Sequence, residues 1–181
     1  MPTTITATPN TVVSSTTQAG LTTRTGTVAW VNVNNAKVSD GSEATNANTA
    51  DAGYQYLIAS DFRVGGVPLA DIISATGVVS SVIIGLVSAG TGFATLDVFR
   101  ARTSAEVFTE LGDSGSPLGL DEGFYTGALV MPVAKIRDST FGIVLGPGTA
   151  GTTAVVDALY MRLVYSNSGR RVRDRAHTRI G

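Results

Sequence analysis

Apolar and polar residues alternate along short stretches of this chain, and no stretch longer than two helical turns keeps a helical period, which predicts strands joined by turns. Tyr54, Tyr56 and Ile58 alternate with polar or small residues, and the pattern runs on through Phe62 and Val64 to the Gly65-Gly66 break. Residues 93–102 alternate again, with Ala94, Leu96, Val98 and Arg100 on one face and Phe93, Thr95, Asp97, Phe99 and Ala101 on the other. Val78–Val87 is nearly continuous in apolar residues, which predicts a strand buried on both faces. Short β-type runs at 27–31, 106–111, 127–133, 140–145 and 153–165 complete the set, the first ending in an Asn-rich turn at 32–35. Residues 69–74 and 133–138 have room for one helical turn each. Short strands separated by Gly-rich turns predict an all-β fold, a single antiparallel β-sandwich of jelly-roll type.

The two ends differ from this middle. Residues 1–26 are rich in Thr and Ser, carry Arg24 as their only charged side chain and hold Pro2 and Pro9. Proline excludes a helix there, Thr and Val favour extended backbone, and too little is apolar for the segment to fold alone. The expected organisation is an extended N-terminal arm over 1–26, a sandwich over 27–166 and an Arg-rich C-terminal arm over 167–181.

Composition sharpens this picture. At 181 residues, with 43% hydrophobic and 15% charged residues, the chain can build a full core, and much of its surface falls to Thr, Ser, Gly and Asn. Cysteine is absent, which excludes disulfides and thiolate metal sites. The most apolar run, 78–89, is interrupted by Ser80, Ser81 and Gly85 and is far below the ~20 residues of a bilayer span. No secretory leader is legible, so a soluble protein without membrane contact is expected. The net charge of −1 hides an asymmetry: residues 168–181 hold five arginines against Asp174, a net +4, leaving −5 on the rest. Such separation invites contact between this segment and the body of another subunit, or with a polyanion.

Candidate chemistry is sparse. Gly112-Asp113-Ser114-Gly115-Ser116-Pro117 resembles the nucleophile loop of trypsin-like serine proteases, but the single histidine, His177, follows the serine and lies in the Arg-rich segment. A triad needs that imidazole oriented against the hydroxyl, so the motif reads as a turn, and no catalytic residue is expected. Asp40, Glu43 and Asp51 share one loop without the spacing of a calcium site, and Asp40-Gly41 reads as an Asx turn. No metal or other cofactor is expected. Asp157, inside an apolar strand, needs a structural partner, either a neighbouring loop or Trp30. Of the aromatic residues that could stack on a sugar, most fall in alternating strands, and Phe124-Tyr125, beside a Gly-rich loop, is the best exposed candidate for glycan contact.

Several landmarks occur in order: Trp30, then Asn34, Asn35, Ala36, Asp40 and Gly41; the apolar strand Val78–Val87; Ala134-Lys135-Ile136-Arg137-Asp138-Ser139-Thr140-Phe141-Gly142; and Val156-Asp157-Ala158 through Val164-Tyr165. Together they resemble a jelly-roll-like β-sandwich domain of bacteriophage virion structural proteins, over roughly residues 28–165. Two features depart from that pattern: a long loop over 65–77, and Tyr125-Thr126-Gly127 where a Trp-Gly is usual. The resemblance implies a non-enzymatic structural protein of the virion, foremost a capsid decoration or cement protein. Its partners would be other virion proteins, major capsid or tail subunits, and further copies of itself, a trimer being favoured. Arg170, Arg171, Arg173, Arg175 and Arg179 are the candidate docking residues, and nucleic acid ranks behind protein as their target. The alternative is a tail or fibre component whose sandwich holds host-surface glycans through Phe124 and Tyr125.

Overall fold

A computed structural model of the chain describes residues 1–24, 28–47, 55–87, 96–108, 123–124, 131–147 and 153–167. The strands are β1 (Thr3–Ser15), β2 (Ala44–Ala47), β3 (Tyr56–Val64), β4 (Val67–Pro68), β5 (Val78–Val87), β6 (Leu96–Arg102), β7 (Gly123–Phe124), β8 (Gly142–Pro147), β9 (Thr153–Val156) and β10 (Ala158–Ser166). Two single-turn helices, α1 (Leu69–Ile72) and α2 (Val133–Ile136), fall where the sequence left room for them. The protein is all-β and antiparallel. Seven strands run in the order β6-β8-β3-β1-β10-β5-β7, β4 pairs with β3 as a short hairpin, and β2 pairs with β9 separately.

This arrangement is two sheets joined by one strand. Residues 3–7 of β1 pair with residues 161–165 of β10, while residues 8–15 pair with residues 56–63 of β3. A strand that leaves one sheet for the other must bend, and the bend is visible in both partners. In β1 the inward-facing positions run Ala7, Pro9 and then Val12; in β3 they run Leu57, Ala59 and then Phe62. Both shift phase where Asn10 faces Asp61, the one point at which the pairing of these strands is interrupted. Asp61 has φ of 52°, a conformation that Asp tolerates better than most residues. Its Oδ2 accepts hydrogen bonds from Asn10 Nδ2 (2.8 Å) and from Arg63 Nη2 (2.7 Å) and Nε (3.1 Å). Pro9 stands just past Ala7, the last residue paired with β10, so its missing N–H costs no bond to that strand.

The described part of the expected arm, residues 1–24, therefore does not lie outside the domain. The segment is extended, as expected, but β1 lies between β10 and β3, and the sandwich begins at Thr3 rather than at residue 27. Apolar side chains are scarce along this segment. A strand paired along nearly its whole length, first with β10 and then with β3, gains main-chain bonds throughout and needs few inward side chains, here Ala7, Pro9 and Val12 with Ile5 half-buried. The C-terminal arm, from residue 168, lies outside the described residues.

The core lies between the two sheets. Leu57, Ala59 and Phe62 of β3 and Ile143 and Leu145 of β8 face Val79, Val82, Ile84 and Leu86 of β5 and Leu159, Met161 and Leu163 of β10, with Trp30 and Phe141 closing the layer. Each fully buried Leu, Ile or Phe of this set contributes about 1.5–3 kcal/mol. β5 keeps its expected bounds, but its burial is one-sided at its start, where Val78 and Ser80 are exposed. Ser80 is the extra residue of a bulge opposite Val164/Tyr165. Farther along, the ring of Tyr160 lies across its cross-strand neighbour Gly85, where an added Cβ would meet Cε2 at 2.3 Å. The run at 153–165 divides into two strands at Asp157. Around Val28 and Val31 the expected strand reduces to isolated bridges, followed by a 3-10 turn at Val33–Ala36. At 106–111 only a bridge between Val107 and Arg102 is described.

Two outcomes follow. A Cβ on Gly142 would lie 1.8 Å from the carbonyl oxygen of Ala59, so Gly142→Ala forces β8 away from β3; it is expected to cost about 3 kcal/mol, read from the urea midpoint. The hydrogen bond from Arg63 holds Asp61 below the usual carboxylate range, opposed by partial burial and assisted by Asn10. Its stabilisation is thus complete above the unfolded value of about 4 and is lost as pH falls through the folded value. Asp61→Asn is expected to flatten the loss of stability below about pH 4, measured as urea midpoints across an acid series.

Candidate functional site

The described residues nearest to the expected docking segment are those at its root. β10 ends at Ser166, and Asn167 is tied to the loop after α1: its Oδ1 accepts from Ser74 N (2.8 Å) and its Nδ2 donates to Ile72 O (3.2 Å). Between them, the Ile73 carbonyl accepts from Arg137 Nη1, just past α2. Gly77 closes against this knot, where a Cβ would come within 2.9 Å of Ser74 O and 3.1 Å of Asn167 Oδ1. The last described residue before the Arg-rich segment is thereby held to the end of α1 and the loop after it. Nothing in the sequence marked Asn167; a lone Asn after a strand has no signal until its partners are known.

Beside this root, α1 and α2 border a cleft of about 50 Å³, lined among others by Phe62, Leu69, Ile136 and Phe141, with Asp61, Arg137 and Asp138 among its polar residues. That volume suits one or two water molecules rather than an organic ligand. Thr140 donates to Asp138 Oδ1 from both its backbone N and its hydroxyl, each at 2.7 Å, which holds Asp138 below the usual carboxylate range. Both carboxylates are thus already engaged by partners within the chain.

The outward face of β3 and β8 carries a second, smaller apolar cluster of Tyr56, Ile58 and Val144. The Arg24 guanidinium stacks over the Tyr56 ring at 4.8 Å, and the Tyr56 hydroxyl donates to Thr22 O (2.9 Å). Arg102, only 8% exposed, donates to Thr140 O (3.3 Å); burial pushes its guanidinium down while Asp138 pulls it up. Gln18 is fastened to the same region, its Nε2 donating to Thr103 O (3.0 Å) and Glu106 O (3.5 Å).

Among the described residues, Asp157 is the one buried carboxylate. At 5% exposure it accepts from Ser39 Oγ (2.7 Å), Gly41 N (3.0 Å) and Asp40 N (3.2 Å). Its structural partner is the loop, while Trp30 Nε1 donates to Gln55 O (2.8 Å). Asp40 forms the expected Asx turn, Oδ1 accepting from Ser42 N (2.8 Å). Asp157 thus pins the loop at 39–42 to the corner where the chain passes from β9 to β10.

Of the residues expected to act, Arg170, Arg171, Arg173, Arg175, Arg179 and Tyr125 lie outside the described residues, as do His177 and the loop at 112–117. Phe124 lies in β7, paired with Gly85 of β5. Trp30, Tyr56 and Tyr160 are buried, in keeping with their place in alternating runs. Among the described residues, no group of three or more His, Asp or Glu side chains is placed to hold a metal ion, and no helix is long and apolar enough to cross a membrane. No protein-family model, curated protein or solved structure matches the chain.

Asp157→Ala leaves the Ser39 hydroxyl and two backbone N–H groups without their acceptor and is expected to cost about 2–4 kcal/mol, with Asp157→Asn losing less. Thermal unfolding of the two variants beside the parent chain checks the order.

Proposed function

We propose that this chain is a non-enzymatic structural protein of a bacteriophage virion, a decoration or cement protein that docks onto neighbouring subunits through its Arg-rich segment. The observation that carries the reading is the way that segment is rooted. A stretch of net +4 follows directly on Asn167, which is fastened to a body of net −5. A charged segment that starts from a fixed point reaches only the surfaces next to that point, which turns a nonspecific attraction into a positional one. Arginine suits the role because its planar fork binds carboxylates in two places at once. The rigid sandwich beneath supports the same reading, since its buried polar side chains Asp157, Gln18 and Asn46 fasten loops to the sheets. In this reading the chain assembles as a homo-oligomer on other virion proteins, with a trimer favoured.

The test uses particles of the phage that encodes the chain. Intact protein is expected to sediment with them at low salt and to be released as salt rises. The variant lacking residues 168–181 is expected to stay in the supernatant with its unfolding midpoint unchanged. Absence of the chain from purified particles would overturn the virion reading, and equal sedimentation of the shortened variant would overturn docking through arginine.

A further inference from the structure

We propose that β1 is exchanged between copies of this chain, so that β1 of one copy completes the sandwich of another. The inference needs only a second copy of the chain and stands apart from the virion reading.

The place β1 occupies is a slot that runs first along β10 and then along β3, and neither strand is its neighbour in sequence. It is held by pairing with five residues of β10 and seven of β3, and by the inward side chains Ala7, Pro9 and Val12. Recognition is therefore mostly main-chain hydrogen bonding, the interaction by which a strand is added to a sheet from another chain. A second copy carries the same strand and fills the same slot with the same contacts. Closed and exchanged forms then differ only at the hinge and at any new surface where the copies meet.

The hinge favours exchange. β1 runs on past Ser15 into Thr16-Thr17, β-branched residues that prefer extended backbone, yet the chain bends at Thr16. The turn is held by local bonds: Ser15 Oγ donates to Thr17 O (2.9 Å) and accepts from Thr17 N (3.2 Å), and Arg24 N donates to Thr16 O (2.8 Å). One residue later Gln18 is 5% exposed and bonded to Thr103 O, so the segment after the hinge stays with its own body. A short hinge whose residues prefer to be straight is the condition under which chains swap elements. Beside it, Val13 is 44% exposed and pairs across the strands with Ile58, an apolar position at the place where exchanged copies would meet.

The chain has no cysteine, so a disulfide reports the pairing directly. Thr4 and Val164 are cross-strand partners on β1 and β10, and both lie outside the buried set. A Thr4→Cys chain and a Val164→Cys chain are mixed in denaturant, refolded together and oxidised. The expected result is a covalent heterodimer on a non-reducing gel, and a dimer or larger ring for the unmodified chain by light scattering. Lengthening the hinge with glycines between Thr16 and Thr17 lets β1 fold back, and the multimer fraction is expected to fall severalfold. A Thr4→Cys/Val164→Cys double variant that closes only onto itself while the mixture yields no heterodimer overturns the proposal. So does an unmodified chain that is monomeric at every concentration.

Discussion

Main-chain pairing of β1 with two strands that belong to different sheets is the constraint on which the sandwich rests. Its first five paired residues lie along β10 and the remainder along β3, so this strand is the seam between the two layers. The seam requires a bend, and the bend requires Asp61 in a left-handed conformation, Asn10 opposite it and Arg63 beside it. From that point the inward-facing positions of both strands are reset, and Phe62 and Val12 enter the core instead of facing out. The glycine at 142 belongs to the same arrangement, because β8 approaches Ala59 too closely for any side chain.

Around that frame, buried polar side chains act as ties rather than as chemistry. Asp157 gathers three donors from one loop, Gln18 holds the segment after β1 to the loop after β6, and Asn46 reaches Val28 O. Each is a polar group that burial would make costly if unmatched, and each joins segments far apart in sequence. The outward face of β3 and β8 is finished in the same manner, with Arg24 and Arg102 over or beside an aromatic and aliphatic floor.

The proposals on function follow from two properties of this frame. A charged segment rooted at a fixed knot on an oppositely charged body favours docking to a neighbour. A seam strand held mainly through its backbone, next to a hinge that prefers to straighten, favours exchange between copies. Both describe a protein whose work is contact with other chains, and they are separable because one depends on residues 168–181 and the other on residues 3–17.

What the sequence by itself determined was the class of structure. Period-two alternation at Tyr56–Val64 and Leu96–Arg102, the apolar run Val78–Val87 and the Gly-rich breaks depend on nearest neighbours along the chain, and these became strands with bounds close to those expected. The single turns α1 and α2, the Asx turn at Asp40 and the tie between Asp157 and a loop were legible for the same reason. Only the tertiary structure decided that residues 3–15 are the seam and not an arm, that the alternation of β1 and β3 breaks at Asn10 and Asp61, and that Asn167 is the root of the charged segment. Those outcomes depend on which strand lies beside which, and a segment of Thr, Ser and Val reads the same whether its hydrogen bonds go to water, to a neighbouring chain or to both sheets of its own domain.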